Sequence, residues 1–136
     1  MKVALKYLAD KEFEAVNEEG NKITIDMYDP EDKKHMSPTQ LLLSAVTACA
    51  AVDIVSMVKK KRKTFIDLTS EIVGDRNEDH PRKFNKIHVH YTLVSPDMTK
   101  EEFEKVVTLA VDKYCSVAST VNESTELTHS VEVVAE

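Results

Sequence analysis

Residues 37–62, SPTQLLLSAVTACAAVDIVSMVKKKR, form the stretch of sequence that decides the fold. Ser37 is a good N-cap and Pro38 is tolerated at the first helical position, so a helix is predicted to begin here and to continue to about Arg62. Residues 41–58 are apolar on nearly every side, which is typical of a helix that is buried rather than lying on a surface. We therefore expect a long central helix with apolar neighbours on all sides.

This apolar run has an alternative interpretation as a membrane-spanning segment, because its length and the basic cluster behind it resemble a stop-transfer signal. Polar side chains interrupt the run, at Ser44, Thr47, Asp53 and Ser56. A carboxylate such as that of Asp53 is costly in lipid. The sequence therefore favours a core helix over a membrane span.

The composition is that of a single globular domain. The chain has 136 residues, of which 42% are hydrophobic and 31% charged, so we expect one domain over residues 1–136. The net charge of −6 argues against a nucleic-acid binder, and the basic run at residues 59–63 is typical of a solvated helix C-terminus. Because residues 1–6 lack the apolar core of a signal peptide, we expect a cytoplasmic protein that does not bind membranes.

The other predicted elements cluster by type instead of alternating. Alternating apolar and polar residues predict strands over residues 2–8, 12–27, 65–75, 83–95 and 128–134. A capping box at residues 99–102 predicts a second helix that ends near Cys115, and a short third helix is expected over residues 116–122. This order indicates the α+β class with antiparallel sheets. Because so short a chain has little else with which to cover the long helix, a homodimer is expected.

Two cysteines are the residues most suited to chemistry. Cys49 lies in the middle of the long helix and shares a face with Asp53, so it either forms a polar pocket or is a core cysteine beside a structural carboxylate. Cys115 is predicted at a helix end, where a helix N-terminus would stabilise a thiolate; the alternative is again a buried apolar cysteine. His88 and His90 share a strand face, but such histidines are more often simply polar positions, so no metal site is predicted.

Two segments resemble the signatures of the OsmC/Ohr (organic hydroperoxide resistance) superfamily. Residues 37–49, SPTQLLLSAVTAC, resemble its central-helix signature, in which a proline opens the helix and a cysteine follows eleven residues later. Residues 113–117, KYCSV, resemble its second signature, with a Cys-Pro/Ser-Val segment. The segments HPRKF at 80–84 and THSVEVVA at 128–135 resemble the YhfA-like branch of the superfamily.

The resemblance implies an intertwined homodimer with two active sites at the subunit interface, and a role in the response to oxidative stress. By analogy with the characterised members, the protein would reduce small hydrophobic organic peroxides, with Cys49 as the peroxidatic thiol and Cys115 as the resolving thiol. The Cys49 thiolate would attack the O–O bond to form a sulfenic acid, which would condense with Cys115 to a disulfide. An external dithiol, typically lipoyl-linked in the family, would reduce the disulfide, so no bound cofactor is expected.

The sequence departs from the family's pattern at the supporting residues. Peroxidase members use an arginine from the N-terminal half and a glutamate on the central helix, ten residues before the first cysteine. Here that helix position is Thr39, and no arginine precedes Arg62. This departure leaves a second function open, in which the fold binds a small apolar ligand or serves another redox role.

A thiolate needs a nearby cation or helix N-terminus to form near neutral pH. In the absence of the family's arginine, the candidate cations are Lys33, Lys34 and His35, from the loop before the helix, and Arg82, from a later part of the chain. Without such a cation, Asp53 would raise the pKa of Cys49.

Overall fold

The computed structural model describes residues 1–136 and has the predicted α+β architecture, with six strands and three α-helices. In chain order the elements are β1 (Val3–Ala9), β2 (Glu12–Asn17), β3 (Lys22–Asp26), α1 (Pro38–Lys60), β4 (Asp67–Arg76), β5 (Phe84–Val94), α2 (Lys100–Leu109), α3 (Ser116–Val121) and β6 (Glu126–Val134). The chain divides into two compact units, Met1–Leu42 and Leu43–Glu136. The single domain expected from the sequence stays a prediction.

The first unit contains a three-stranded antiparallel sheet in the order β1-β2-β3, in which the segment 12–27, predicted as strand, forms β2 and β3. The turn between β2 and β3 is built on Asn17, whose side-chain oxygen accepts hydrogen bonds from the N–H groups of Glu19 and Asn21 at 3.1 and 2.8 Å. Gly20 adopts a φ of +88° in this turn, a conformation that a residue with a Cβ rarely takes. The sequence Asn17–Asn21 thus fixes the β2–β3 turn locally.

Asp26, at the end of β3, organises the loop that precedes α1. Its fully buried carboxylate accepts hydrogen bonds from the Lys33 ammonium at 2.8 Å and from the N–H groups of Lys34 and His35 at 2.9 and 2.7 Å. Burial by itself raises the pKa of Asp26, but these hydrogen bonds outweigh it and hold the pKa well below its ordinary value. The loop, although irregular, is therefore anchored to the sheet at one buried charge.

This carboxylate predicts a specific pH dependence of stability. The pKa of Asp26 is lower in the folded than in the unfolded chain. Its contribution to the free energy of unfolding is therefore fully present above about pH 3.9 and is lost as the pH falls through the pKa of the folded state. Asp26→Asn should therefore melt below the wild type at neutral pH, and the deficit should shrink on acidification. Melting followed by circular dichroism from about pH 2 to pH 7 measures this.

Asp29→Asn provides the matched control, since Asp29 is an exposed aspartate of the same loop. This variant should melt like the wild type throughout the range. A deficit of Asp26→Asn that is as large at the acid end as at neutral pH would contradict the assignment.

The second unit contains a three-stranded sheet in the order β4-β5-β6. Strands β4 and β5 form an antiparallel hairpin, but β6 runs parallel to β5, with register from Lys86↔Glu126 to Val94↔Val134. The prediction of antiparallel sheets is therefore wrong for this pair. The physical reason is the connection: α2 and α3 lie between β5 and β6, and a helical crossover of this length returns the chain to the sheet in a parallel direction.

The core of the second unit lies on one face of this sheet. The inward side chains of β5 pack there against buried residues of α1 and α2. This core includes Ala50, Ile54 and Val58 of α1, Val89, Tyr91 and Leu93 of β5, and Phe103, Val106 and Val107 of α2. Helix α2 begins at the predicted capping box, in which Thr99 accepts from the Glu102 N–H and the Glu102 side chain accepts from the Thr99 N–H. The face that α2 buries carries Phe103, Val106 and Val107.

Helix α1 follows its predicted limits but not its predicted burial. Ser37 caps the helix, since its hydroxyl accepts from the Gln40 N–H at 3.3 Å. Within one chain only the face with Val46, Ala50, Ile54 and Val58 is buried, and the Val52 side chain is 71% exposed. Helix α1 is long and apolar enough to cross a membrane, a test that core helices of soluble proteins also pass. The expected all-round burial is therefore absent within one chain, because a single sheet with two short helices covers one side.

Candidate active site

The second unit brings Cys49 and Cys115 together. Cys49 is half-buried in the middle of α1, and Cys115 is buried directly before α3. The Cys49 sulfur lies 3.9 Å from the hydroxyl oxygen of Ser116, the residue after Cys115, and each thiol is among the groups that shift the pKa of the other. The two cysteines therefore belong to one site although they are far apart in the sequence. That they approach closely enough to form a disulfide stays a prediction.

Cys115 is positioned by a change of helical geometry. A π-helical turn at Ala110–Tyr114 follows α2, and the Cys115 N–H donates to the Ala110 carbonyl oxygen at 2.9 Å. The backbone of Cys115 is then extended, so the residue becomes the N-cap of α3, and its sulfur accepts from the Ala118 N–H at 3.3 Å. The chain thus changes direction at this cysteine, and its side chain points back to α1, 3.9 Å from the Val46 carbonyl oxygen.

The pKa of the Cys49 thiol is lowered from its ordinary value. The largest cause is the Val117 N–H, which donates to the sulfur; burial opposes it, and the Cys115 thiol and the hydroxyl and N–H of Ser116 lower the pKa further. The Ser116 hydroxyl oxygen lies 3.9 Å from the Cys49 sulfur. Cys49 is thus the thiol that ionises more readily, and the groups with the largest lowering effects on its pKa are uncharged.

The pKa of Cys115 moves the other way. Burial raises it, the neighbouring Cys49 raises it further, and the Ala118 N–H opposes these effects. Cys115 therefore holds its proton more tightly than Cys49 does, and its S–H donates to the Val46 carbonyl oxygen at 3.9 Å. The pair consists of one half-buried thiol with a lowered pKa and one buried thiol with a raised pKa.

A cluster of hydroxyl groups fixes α1 to the sheet two residues before Cys49. The buried Tyr91 hydroxyl donates to the Thr47 carbonyl oxygen at 2.7 Å and accepts from the Thr47 hydroxyl at 3.2 Å. The Thr47 hydroxyl lies 2.6 Å from that of Ser70 on β4. Burial raises the pKa of Tyr91, with smaller contributions from the two cysteines, so it stays a neutral donor. Sequence analysis missed this cluster, although a tyrosine at an inward strand position usually has a polar partner.

Two predicted supporting residues belong to the second unit. Asp53 lies half-buried one turn along α1, and Arg82 lies in the β4–β5 loop, where its Nε donates to the Asn77 carbonyl oxygen at 3.4 Å. Neither is among the groups with the largest effects on the pKa of Cys49. The supporting roles of Asp53 and Arg82 stay predictions.

The other predicted supporting residues belong to the first unit. The Thr39 hydroxyl lies 3.2 Å from that of Ser37. Lys33 and His35 bind Asp26, as described above, and the Lys34 ammonium lies 3.9 Å from a Glu12 carboxylate oxygen. Their proposed role beside Cys49 stays a prediction.

His88 and His90, the histidine pair considered from the sequence, lie on the outer face of the β4-β5-β6 sheet. Both ring nitrogens of His88 pair with hydroxyl groups, those of Thr128 at 2.7 Å and Ser130 at 2.9 Å. The Nδ1 of His90 shares the Ser130 hydroxyl at 2.7 Å. The hydrogen bonds to Thr128 and Ser130 give both histidines a structural role on this face of the sheet.

Comparison with known proteins identifies the family. Residues 31–130 match the family model described as OsmC-like protein. The chain is also 31% identical over 135 residues to Protein YhfA of Escherichia coli (strain K12), an alignment that covers 99% of each chain. The chain therefore belongs to the OsmC-like protein family, as its two sequence signatures predicted.

Solved structures share this fold. A hypothetical protein from Aquifex aeolicus VF5 superposes with a TM-score of 0.88 at 32% identity, covering 99% of this chain and 96% of that one. The organic hydroperoxide resistance protein OhrB of Bacillus subtilis superposes with a TM-score of 0.65 at 15% identity, covering 96% of each chain. At that identity the likeness to OhrB shows the fold alone.

Proposed function

We propose that this protein is a thiol-dependent peroxidase that reduces organic hydroperoxides through Cys49 and Cys115. The observation that carries the proposal is the placement of both thiols at the start of α3: Cys115 caps this helix, and the Cys49 sulfur lies 3.9 Å from the hydroxyl oxygen of Ser116, the first residue of α3. The pKa is lowered at Cys49 and raised at Cys115. A peroxidatic thiol must be ionised, and its resolving partner must be close and unreacted. Membership of the OsmC-like family and the fold shared with a protein named for organic hydroperoxide resistance support the same function.

The proposed reaction has three steps. The Cys49 thiolate attacks the terminal oxygen of the hydroperoxide, the O–O bond breaks, and the leaving alkoxide takes up a proton to become an alcohol. Cys115 then attacks the sulfur of the Cys49 sulfenic acid, which releases water and forms a disulfide. An external dithiol, of the lipoyl type, returns the pair to two thiols by exchange. The proposed substrate is a small hydrophobic peroxide, the class that the family resemblance implies.

A second function is favoured by one observation: the groups with the largest lowering effects on the pKa of Cys49 are uncharged. Without a cation the thiolate is less stabilised, which suits an OsmC-fold protein that binds a small apolar ligand or serves another redox role. Single-turnover oxidation of Cys49 by cumene hydroperoxide at neutral pH separates the two. A rate clearly above that of free cysteine supports the peroxidase, and a rate equal to it supports the alternative.

Mild treatment with peroxide should join Cys49 and Cys115 in a disulfide, because the Cys49 sulfur lies beside Ser116, the residue that follows Cys115. Mass spectrometry of the intact chain should show the loss of two hydrogens, and the linked peptides should contain both cysteines. Cys49→Ser and Cys115→Ser should each abolish the mass change. An unchanged mass of the wild type would mean that the pair does not react, and a linked species of twice the chain mass in either variant would mean that the bond joins two chains.

The proposed partners are a second copy of the chain, the peroxide and the dithiol reductant, in the cytoplasm. Two apolar surfaces support self-association: Val52 on α1 is 71% exposed, and Val3, Leu5 and Tyr7 of β1 are each about two-thirds exposed. Exposed apolar side chains that alternate along a strand are typical of a face that binds another protein surface.

A further inference from the structure

Ser116 is a polar group at the nucleophile that neither the family signature nor the sequence analysis assigned a role. It is the first residue of α3 and is exposed, and its hydroxyl oxygen lies 3.9 Å from the Cys49 sulfur. The other thiol of the pair is buried behind it. Ser116 is therefore an exposed polar group in contact with Cys49.

The protonation states decide the direction of this hydrogen bond. A thiolate sulfur only accepts, so when Cys49 has lost its proton the Ser116 hydroxyl must be the donor. The other side chain that lowers the pKa of Cys49, the Cys115 thiol, has to give up its proton when it attacks the sulfenic acid. Ser116 is thus the side-chain donor that keeps its proton throughout the cycle.

We propose that Ser116 is a catalytic residue, whose hydroxyl donates first to the Cys49 thiolate and then to the oxygen that leaves the hydroperoxide. In that step a bond forms between the Cys49 sulfur and the terminal peroxide oxygen. The electron pair of the O–O bond stays on the leaving oxygen, and water supplies the proton that converts the alkoxide to an alcohol. Ser116 stabilises the developing charge without losing its own proton, and its exposure admits the water. The second contact rests on the proposed peroxidase function, whereas the first does not.

The first contact is tested by the pKa of Cys49, measured from the pH dependence of iodoacetamide alkylation and followed on the Cys49 peptide by mass spectrometry. A hydrogen bond to a charged group is lost in Ser116→Ala, so the pKa should rise by roughly one unit. Ser116→Thr keeps the hydroxyl and should restore the wild-type profile. Ser119→Ala is the matched control, since Ser119 is an exposed serine of the same helix and is not among the groups that bind Cys49. An unchanged pKa in Ser116→Ala would overturn the proposal.

The second contact is tested by comparing two reactions of the same thiol. A higher pKa in Ser116→Ala would lower the fraction of Cys49 that is thiolate at neutral pH about tenfold. A thiolate of higher pKa is also a stronger nucleophile, so the rate of alkylation should fall only about threefold. The rate of oxidation by cumene hydroperoxide should fall about tenfold more than the rate of alkylation, because the variant also lacks the hydroxyl that donates to the leaving oxygen. Equal falls would overturn the second contact. Wild-type oxidation no faster than that of free cysteine would refute the peroxidase itself, while the alkylation profiles would still decide the first contact.

Discussion

Cys49→Ser should abolish hydroperoxide turnover, whereas Cys115→Ser should still permit one round of oxidation. Cys49 is the thiol with the lowered pKa and the greater exposure, so it is the group that attacks the O–O bond. A serine hydroxyl in its place is not ionised and is a far weaker nucleophile. The rate should therefore fall to that of buffer alone.

The Cys115→Ser variant distinguishes the two roles. Cys49 should be oxidised once and then remain a sulfenic acid, or pass to the sulfinic acid, because no second thiol condenses with it. Mass spectrometry should find one or two added oxygens at Cys49 instead of the loss of two hydrogens. Full turnover in Cys115→Ser would assign the resolving role to the external dithiol and contradict the proposed pair.

Val52→Glu should convert the proposed dimer to a monomer. Val52 is a large apolar side chain, 71% exposed, on a helix that one chain covers along a single face. If a second copy covers the other side, a carboxylate at this position is buried without a partner. Such a charge costs roughly 3–5 kcal/mol, which weakens the dimer by two or more powers of ten.

Light scattering at micromolar concentration measures this change. The wild type should have about twice the 15.3 kDa mass of the chain, and Val52→Glu should have the mass of one chain. The matched control is Val73→Glu, because Val73 is a valine of similar exposure, 61%, on the outer face of the β4-β5-β6 sheet. It alternates with Ile72, which faces the core, so its replacement should leave the dimer intact. A wild type with the mass of one chain would remove the shared-site model.

Local signals in the sequence predicted most of the elements. The pair Ser37 and Pro38 marked the start of α1, and the Thr99–Glu102 capping box marked the start of α2, because helix caps are formed by neighbouring residues. The direction of β6 was predicted wrongly, because alternation along a strand reports which side chains share a face and carries no information about which way the neighbouring strand runs.

The candidate site was predicted in part. The two signatures singled out Cys49 and Cys115, but the supporting residues were sought among charged groups such as Arg82. The structure places uncharged donors there instead, the backbone of Val117 and the hydroxyl of Ser116. A backbone N–H has no signature in the sequence, and a serine becomes a thiol partner only when α3 begins beside the middle of α1.

The sequence by itself therefore determined where the helices begin, which segments are strands and which two thiols are available, because caps, periodicity and residue type are properties of contiguous residues. Tertiary structure decided three further features: the parallel pairing of β6, the extent to which α1 is covered, and the set of donors to Cys49. Each depends on which distant segments lie side by side. Long-range packing makes Cys49 the more acidic thiol, by setting fixed N–H and hydroxyl dipoles around its sulfur while burying Cys115.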